Sequence, residues 1–153
     1  MIPRLSSALK AVDMGQQPPP LIIGERLNTQ GSRKAKELVL ANDFDGLVDL
    51  ARAQVDDGAH CLDVCVALTE RPDELQFMQK LVKRLSLEID APLVIDSTDP
   101  NVVESAVRQI PGRPMINSIN LEGDGSRFHA LAPLMAKYGL PAVAMCIGPK
   151  GMA

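Results

Sequence analysis

Residues Leu93 to Asn120 read L-V-I-D-S-T-D-P, then N-V-V-E-S-A-V-R-Q-I, then P-G-R-P-M-I-N-S-I-N. Two apolar runs each break off in polar residues: Asp96, Ser97, Thr98 and Asp99 after the first, Asn117, Ser118 and Asn120 after the second. Between them Asn101 to Ile110 carries helical spacing, so the stretch predicts strand, helix, strand. Strands of a parallel unit are covered on both faces and read as near-continuous apolar runs. Polar groups at their carboxyl ends are where α/β proteins place ligand sites. For Asp99 and Ser97 a second reading stands beside this one, as capping residues of the next helix. It fits Asp96 and Asn117 less well, because each sits one step further inside its apolar run. Burying an unpaired carboxylate or amide there costs about 1–3 kcal/mol or more.

The same pattern extends both ways. Upstream, L-I-I-G-E-R-L-N (Leu21 to Asn28) reads as a strand, and a short helical turn is expected within Ser32 to Ala41. Asp43 to Asp57 predicts a helix with Phe44, Leu47, Val48, Ala51 and Val55 on one face, stopped at Gly58. C-L-D-V-C-V-A (Cys61 to Ala67) is a second strand, interrupted by Asp63. Arg71-Pro72-Asp73 opens a helix with Leu75, Met78, Leu81, Val82 and Leu85 inward, and Asp99-Pro100 opens the next at a position proline favours. Downstream, a helix with Phe128, Leu131, Leu134 and Met135 inward ends at Gly139, and Pro141 to Gly148 is a fifth strand. Residues 1–20, ending Q-Q-P-P-P, are expected to be a leader with a short helix around Ser6 to Met14, and 21–153 one domain.

Five strands alternating with four helices imply a parallel sheet with right-handed crossovers. An open doubly wound sheet and part of a closed (β/α)8 barrel compete. No G-x-G-x-x-G follows the first strand, and no G-x-x-x-x-G-K-[ST] loop occurs. Instead each strand ends in its own polar group: Glu25 and Asn28, Asp63, Asp96, Asn117, Cys146. Convergence from successive strands is the barrel arrangement.

Composition narrows the function classes. The chain has 153 residues, 46% hydrophobic and 23% charged, with net charge −3, one Tyr and no Trp. No basic run or aromatic platform points to nucleic acid. No apolar stretch approaches the ~20 residues of a membrane span, and the first residues lack the apolar core of a signal peptide. A cytoplasmic location is the expectation. Three cysteines, an odd number, argue against a disulfide framework. Cys61 and Cys65 stand roughly 13 Å apart at strand rise, too far for one tetrahedral ion, and read as buried, inert thiols. His60 and His129 have no partner at a metal-ligand spacing, so no metal site is expected.

L-I-I-G-E-R-L-N, L-D-V, I-D-S-T, M-I-N-S-I-N and A-M-C-I-G-P-K-G-M, in that order, resemble the pterin-binding methyltransferases. These pass methyl from methyltetrahydrofolate to a corrinoid protein, and they are related to the pterin domain of cobalamin-dependent methionine synthase. The resemblance runs from about Leu21 to the last residue. It implies a (β/α)8 TIM barrel with the pterin at its carboxyl-end face. Asp96 is then the pterin-binding carboxylate, and Asn117 the catalytic amide that reaches the methyl-bearing ring nitrogen. Asp63 and Asn120 are further pterin-site candidates. The implied cofactors are tetrahydrofolate or methyltetrahydrofolate as substrate and a corrinoid (cobalamin) carried by a partner protein. Cys65 stands where relatives often carry Asn, and Ile147-Gly148-Pro149 where relatives often carry an acidic residue.

A complete barrel takes about 250 residues, so 153 make a half-barrel. Its open edges predict self-association or a completing carboxyl-terminal fragment, because Pro141 to Gly148 carries no charge to blunt an edge. The inward strand faces are expected to lie half uncovered. Two other functions stand against the methyltransferase: a dihydropteroate synthase-like transferase, disfavoured by the loop N-T-Q-G-S-R-K, and a non-catalytic fragment or assembly module.

Overall fold

The computed structural model describes residues 2–152. Strands β1 (Arg4–Ser6) and β2 (Ala11–Asp13) form an antiparallel hairpin. Then follow β3 (Ile23–Asn28), α1 (Arg33–Leu40), α2 (Phe44–Asp56), β4 (Cys61–Cys65), α3 (Glu74–Glu88), β5 (Leu93–Asp96), α4 (Pro100–Val107), β6 (Met115–Ile119), α5 (Ser126–Tyr138) and β7 (Ala142–Ala144). Strands β3-β4-β5-β6-β7 pair in chain order, all parallel. A strand order that follows chain order, with a helix at each crossover, is the wall of a barrel rather than a doubly wound sheet.

Alternation along the strands gives the sheet two faces. Leu62, Val64, Leu93, Ile95 and Ile116 point to the helix side and join the main core with Leu47, Met78, Leu81, Val103 and Leu131. Cys61, Val94 and Met115 point the other way, into a second apolar cluster closed by Leu5. Both faces being covered, all five residues of β4 are buried.

The helix starts follow from their capping side chains. Ser32 accepts from the Ala35 N–H at 3.2 Å, Asp43 from Gly46 at 2.9 Å and Asp99 from Asn101 at 2.8 Å. Of the two readings of Asp99, the structure realises the cap. A register shift between Gly24 and Leu27 interrupts the ladder, and the buried Gln54 Oε1 accepts from the Arg26 N–H at 2.7 Å.

Three expectations are corrected. Residues 4–13 are a hairpin, not a helix. The Ser7 hydroxyl accepts from the N–H groups of Leu9 and Lys10 at 3.1 and 3.0 Å, a turn that competes with helix. The hairpin is anchored to the loop before β6 by mutual Ser6–Arg113 backbone bonds of 3.0 and 2.9 Å. Gly112 permits that approach: its φ is 131°, and a Cβ there would lie 2.4 Å from the Ser6 carbonyl oxygen. The inward strand faces are therefore not left open at the amino end, because the hairpin's Leu5 covers them. Second, the expected helical turn after the first strand is a full helix, α1, so two helices join β3 and β4. Third, the fifth strand is shorter than expected. After Ala144 the chain turns into a small antiparallel pair, β8 (Ile147–Gly148) and β9 (Gly151–Met152), reversing through Pro149 and the positive-φ Gly151. Phe128 and Met135 are half-buried, while Leu131 and Leu134 carry the inward face of α5.

Candidate functional site

Asp63, Asp96 and Asn117 stand two residues beyond Cys61, Val94 and Met115 on the same sheet face. Two residues on is the same face one layer higher, so an apolar layer is followed by a polar one at the carboxyl ends. Asn28, at the end of β3, joins them. Its Nδ2 donates to Asp63 Oδ2 at 2.9 Å and to Asp96 Oδ2 at 2.8 Å. Its Oδ1 accepts from the Gln30 N–H at 2.8 Å, so both polar atoms of the side chain are engaged. Asn117 Nδ2 donates to Asp63 Oδ1 at 3.1 Å. Asp63, only 4% exposed, thus accepts from two amides, one on each oxygen. An ionised carboxylate only accepts, so it turns both NH2 groups toward itself.

What remains uncommitted is specific. Among the described residues nothing donates to Asp96 Oδ1 or to Asn117 Oδ1, and one Asn117 N–H is unused. Asp96 and Asn117 are register partners on β5 and β6, so the two side chains are neighbours on one face of the sheet. Both carboxyls are held above the usual carboxylate range. For Asp63 the cause is burial, with Glu25 adding to it and the two amide hydrogen bonds opposing it. For Asp96 it is burial, then the Asp63 charge, opposed by Asn28 and by the Arg127 guanidinium.

The structure brings Asp63, Asp96 and Asn117 into one network and leaves Asn120 out of it. Asn120 Oδ1 accepts from the Glu122 N–H at 3.1 Å, and the residue lines an apolar groove of about 470 Å3 with Phe128, Met145 and Ile147. Ser97 is buried. It donates to Glu74 Oε1 at 2.6 Å and accepts from the Asp99 N–H at 3.2 Å, a local structural role. Asn28 was legible only as one of the polar strand ends; its bridging of two carboxylates needs the pairing of β3 with β4. The thiols behave as expected of buried cysteines: burial pushes Cys61 up to about 12 and Cys65 to about 11. His60 Nδ1 accepts from the Ile22 N–H at 2.9 Å, a structural contact. Among the described residues no group of three or more His, Cys, Asp and Glu could hold a metal, and no helix is long and apolar enough to cross a membrane.

Carboxylates and amides gathered from successive strand ends of a parallel α/β sheet stand where proteins of the barrel class place their sites. Residues 24–153 match the pterin binding enzyme family, and the chain belongs to it. It is 38% identical over 154 residues to methionine synthase of Mycobacterium tuberculosis, covering 99% of this chain and 13% of that relative. The same figures hold for methionine synthase of Mycobacterium leprae. The chain thus spans about an eighth of the curated relatives it matches. Among solved structures, it resembles Yersinia pestis dihydropteroate synthase bound to a pterine-sulfa conjugate, with TM-score 0.64 and 23% identity, over 95% of this chain and 50% of that one. Xanthomonas albilineans dihydropteroate synthase with 4-aminobenzoic acid gives TM-score 0.65 and 22% identity, over 98% and 54%. The fold is therefore that of about half of a (β/α)8 barrel.

Proposed function

We infer that the chain binds a reduced folate by its pterin ring at the carboxyl ends of β4, β5 and β6, as the methyl-donor part of a methyl transfer to a corrinoid. The carrying observation is the adjacent uncommitted pair, Asp96 Oδ1 and Asn117 Oδ1. A pterin edge presents adjacent N–H donors, and a carboxylate meets them with charge-assisted hydrogen bonds. Asp63 and Asn28 hold the two ligands in place. The relatives named methionine synthase favour methyltetrahydrofolate as the donor over a pterin pyrophosphate.

In the transfer, the bond between the ring nitrogen and the methyl carbon breaks, and the nitrogen keeps the bonding electrons. A hydrogen bond to that nitrogen stabilises the developing change. The second Asn117 N–H, which donates to no described residue, would supply it. A corrinoid carried by a partner would supply reduced cobalt as the nucleophile to which the methyl carbon bonds, and the ring nitrogen would take up a proton in exchange.

Titration with methyltetrahydrofolate tests this. Asp96→Ala is expected to weaken binding about tenfold or more, and Asn117→Ala to weaken it less. Tight binding unchanged by both substitutions would contradict the assignment. Condensation of a pterin pyrophosphate with an aminobenzoate would point to the synthase reading instead. Among the described residues the outer edges of β3 and β7 pair with no strand, which supports association with another copy or a completing fragment. A clean monomer in sedimentation contradicts that.

A further inference from the structure

Arg127, in the first turn of α5, reaches back to the strand ends. Its Nη1 donates to the Ser97 carbonyl at 2.5 Å, and its Nε and Nη2 donate to the Ser118 carbonyl at 3.1 and 2.9 Å. Ser97 follows Asp96, and Ser118 follows Asn117. The guanidinium is half-buried, and among the described residues it forms no ion pair. Burying a cation that makes no salt bridge is costly. Here the cost is met by two backbone carbonyls whose neighbours are the two uncommitted side chains. A planar fork can span two strand ends; a lysine head, a single point of charge, cannot.

We propose that Arg127 is a positioning residue, clamping the carboxyl ends of β5 and β6 so that Asp96 and Asn117 present their free oxygens at a fixed spacing to one ligand. This rests on the pterin reading for the ligand, but not for the clamp. The Arg127 charge also acts on Asp96, favouring its ionised form. The other ionisable groups around that carboxyl, Asp63 on β4, Cys65 at its end and Glu74 on α3, are acids. Removing Arg127 therefore does two separable things: it loosens the spacing, and it leaves Asp96 harder to ionise.

The test uses the full chain with Arg127→Met and Arg127→Lys. Carboxyl carbon NMR of the free protein, with Asp96 assigned through Asp96→Asn, reads the titration midpoint of Asp96. Arg127→Met is expected to move that midpoint up, and an unchanged midpoint overturns the proposal. Arg127→Lys keeps the charge but not the fork. The Asp96 midpoint should stay near the wild-type value, while the Ser97 and Ser118 carbonyl resonances shift and affinity for 6-hydroxymethylpterin falls about tenfold. Unmoved carbonyl resonances, or wild-type affinity in Arg127→Lys, overturn the clamp, and this holds even where Arg127→Met does not fold. A wild-type chain that binds no pterin breaks the ligand reading alone, since the free-chain measurements still decide the clamp.

Discussion

The concave face of the sheet has two layers built by the same three strands. Cys61, Val94 and Met115 form the lower one, sealed by Leu5 of the hairpin. Asp63, Asp96 and Asn117 form the upper one, two residues further along each strand. Backbone and neighbours are nearly the same, and the chemistry is opposite. The lower layer needs no explanation beyond burial of apolar area. The upper layer buries a carboxylate, and satisfies it with two amides that a purely structural core would not need. Strand pairing alone does not call for such polarity, and the proposed pterin site is what would account for the difference.

The sharpest way to break this comparison is to make the lower layer resemble the upper. Val94→Asp would place a carboxylate beside Leu5 and Met115, with no amide to meet it. It is expected to destabilise the chain by more than about 4 kcal/mol, read as loss of the cooperative transition in urea. A chain that keeps its fold with Asp at 94 would show that the lower layer is wet.

Removing the seal comes next. Leu5 is wholly buried, and Leu5→Ala should cost about 3 kcal/mol through the cavity it leaves. The hairpin is then a working part of the domain, and a urea midpoint unmoved by Leu5→Ala would return it to the status of a leader.

The upper layer responds to pH rather than to size. Asp63 and Asp96 are held above their ordinary value of 3.8 in the folded chain, so that chain binds more protons than the unfolded one. Their contribution to stability is full below that value and is lost as pH rises through the raised values. Pterin affinity should run the other way, falling as acid neutralises Asp96. Asp63→Asn removes one of the two titrations. It also sets an NH2 against one of the amides, at a cost of about 1–2 kcal/mol in mild acid. Urea melts between about pH 4 and pH 8 should show a flatter pH slope for Asp63→Asn than for wild type; equal slopes would show that Asp63 does not titrate in this range.

How much of this could be read in the sequence differs between the layers. Near-continuous apolar runs such as L-V-I placed the strands, and polar strand ends placed Asp63, Asp96 and Asn117, because both signals are local. Asn28 and Arg127 were not assigned to the site: one acts across β3–β4 and the other reaches back from α5, and neither reach has a periodicity. The hairpin was missed because three-residue strands carry too little pattern, and the turn is made by a single serine hydroxyl. The sequence carries the fifth strand on to Gly148 because A-V-A-M-C-I-G is apolar throughout. It ends at Ala144 because the chain turns there, with the Ile147 N–H donating back to the Met145 carbonyl at 2.8 Å, and not because of polarity.

The smallest effect tests the finest distinction, between two aspartates three residues apart. Asp96 ends β5 and faces the concave side. Asp99 stands beyond the strand, exposed, and accepts from the Asn101 N–H at the start of α4. Sequence alone allowed either to be a ligand. Asp99→Ala should cost about 1 kcal/mol of stability, the usual worth of an N-cap, with pterin affinity unchanged. Asp96→Ala should do the reverse: affinity falls, while stability at neutral pH holds or rises, since a buried acid that resists ionisation is removed. A pterin affinity that fell in Asp99→Ala as far as in Asp96→Ala would place the ligand over the loop rather than on the sheet. It would also dissolve the contrast between the two layers.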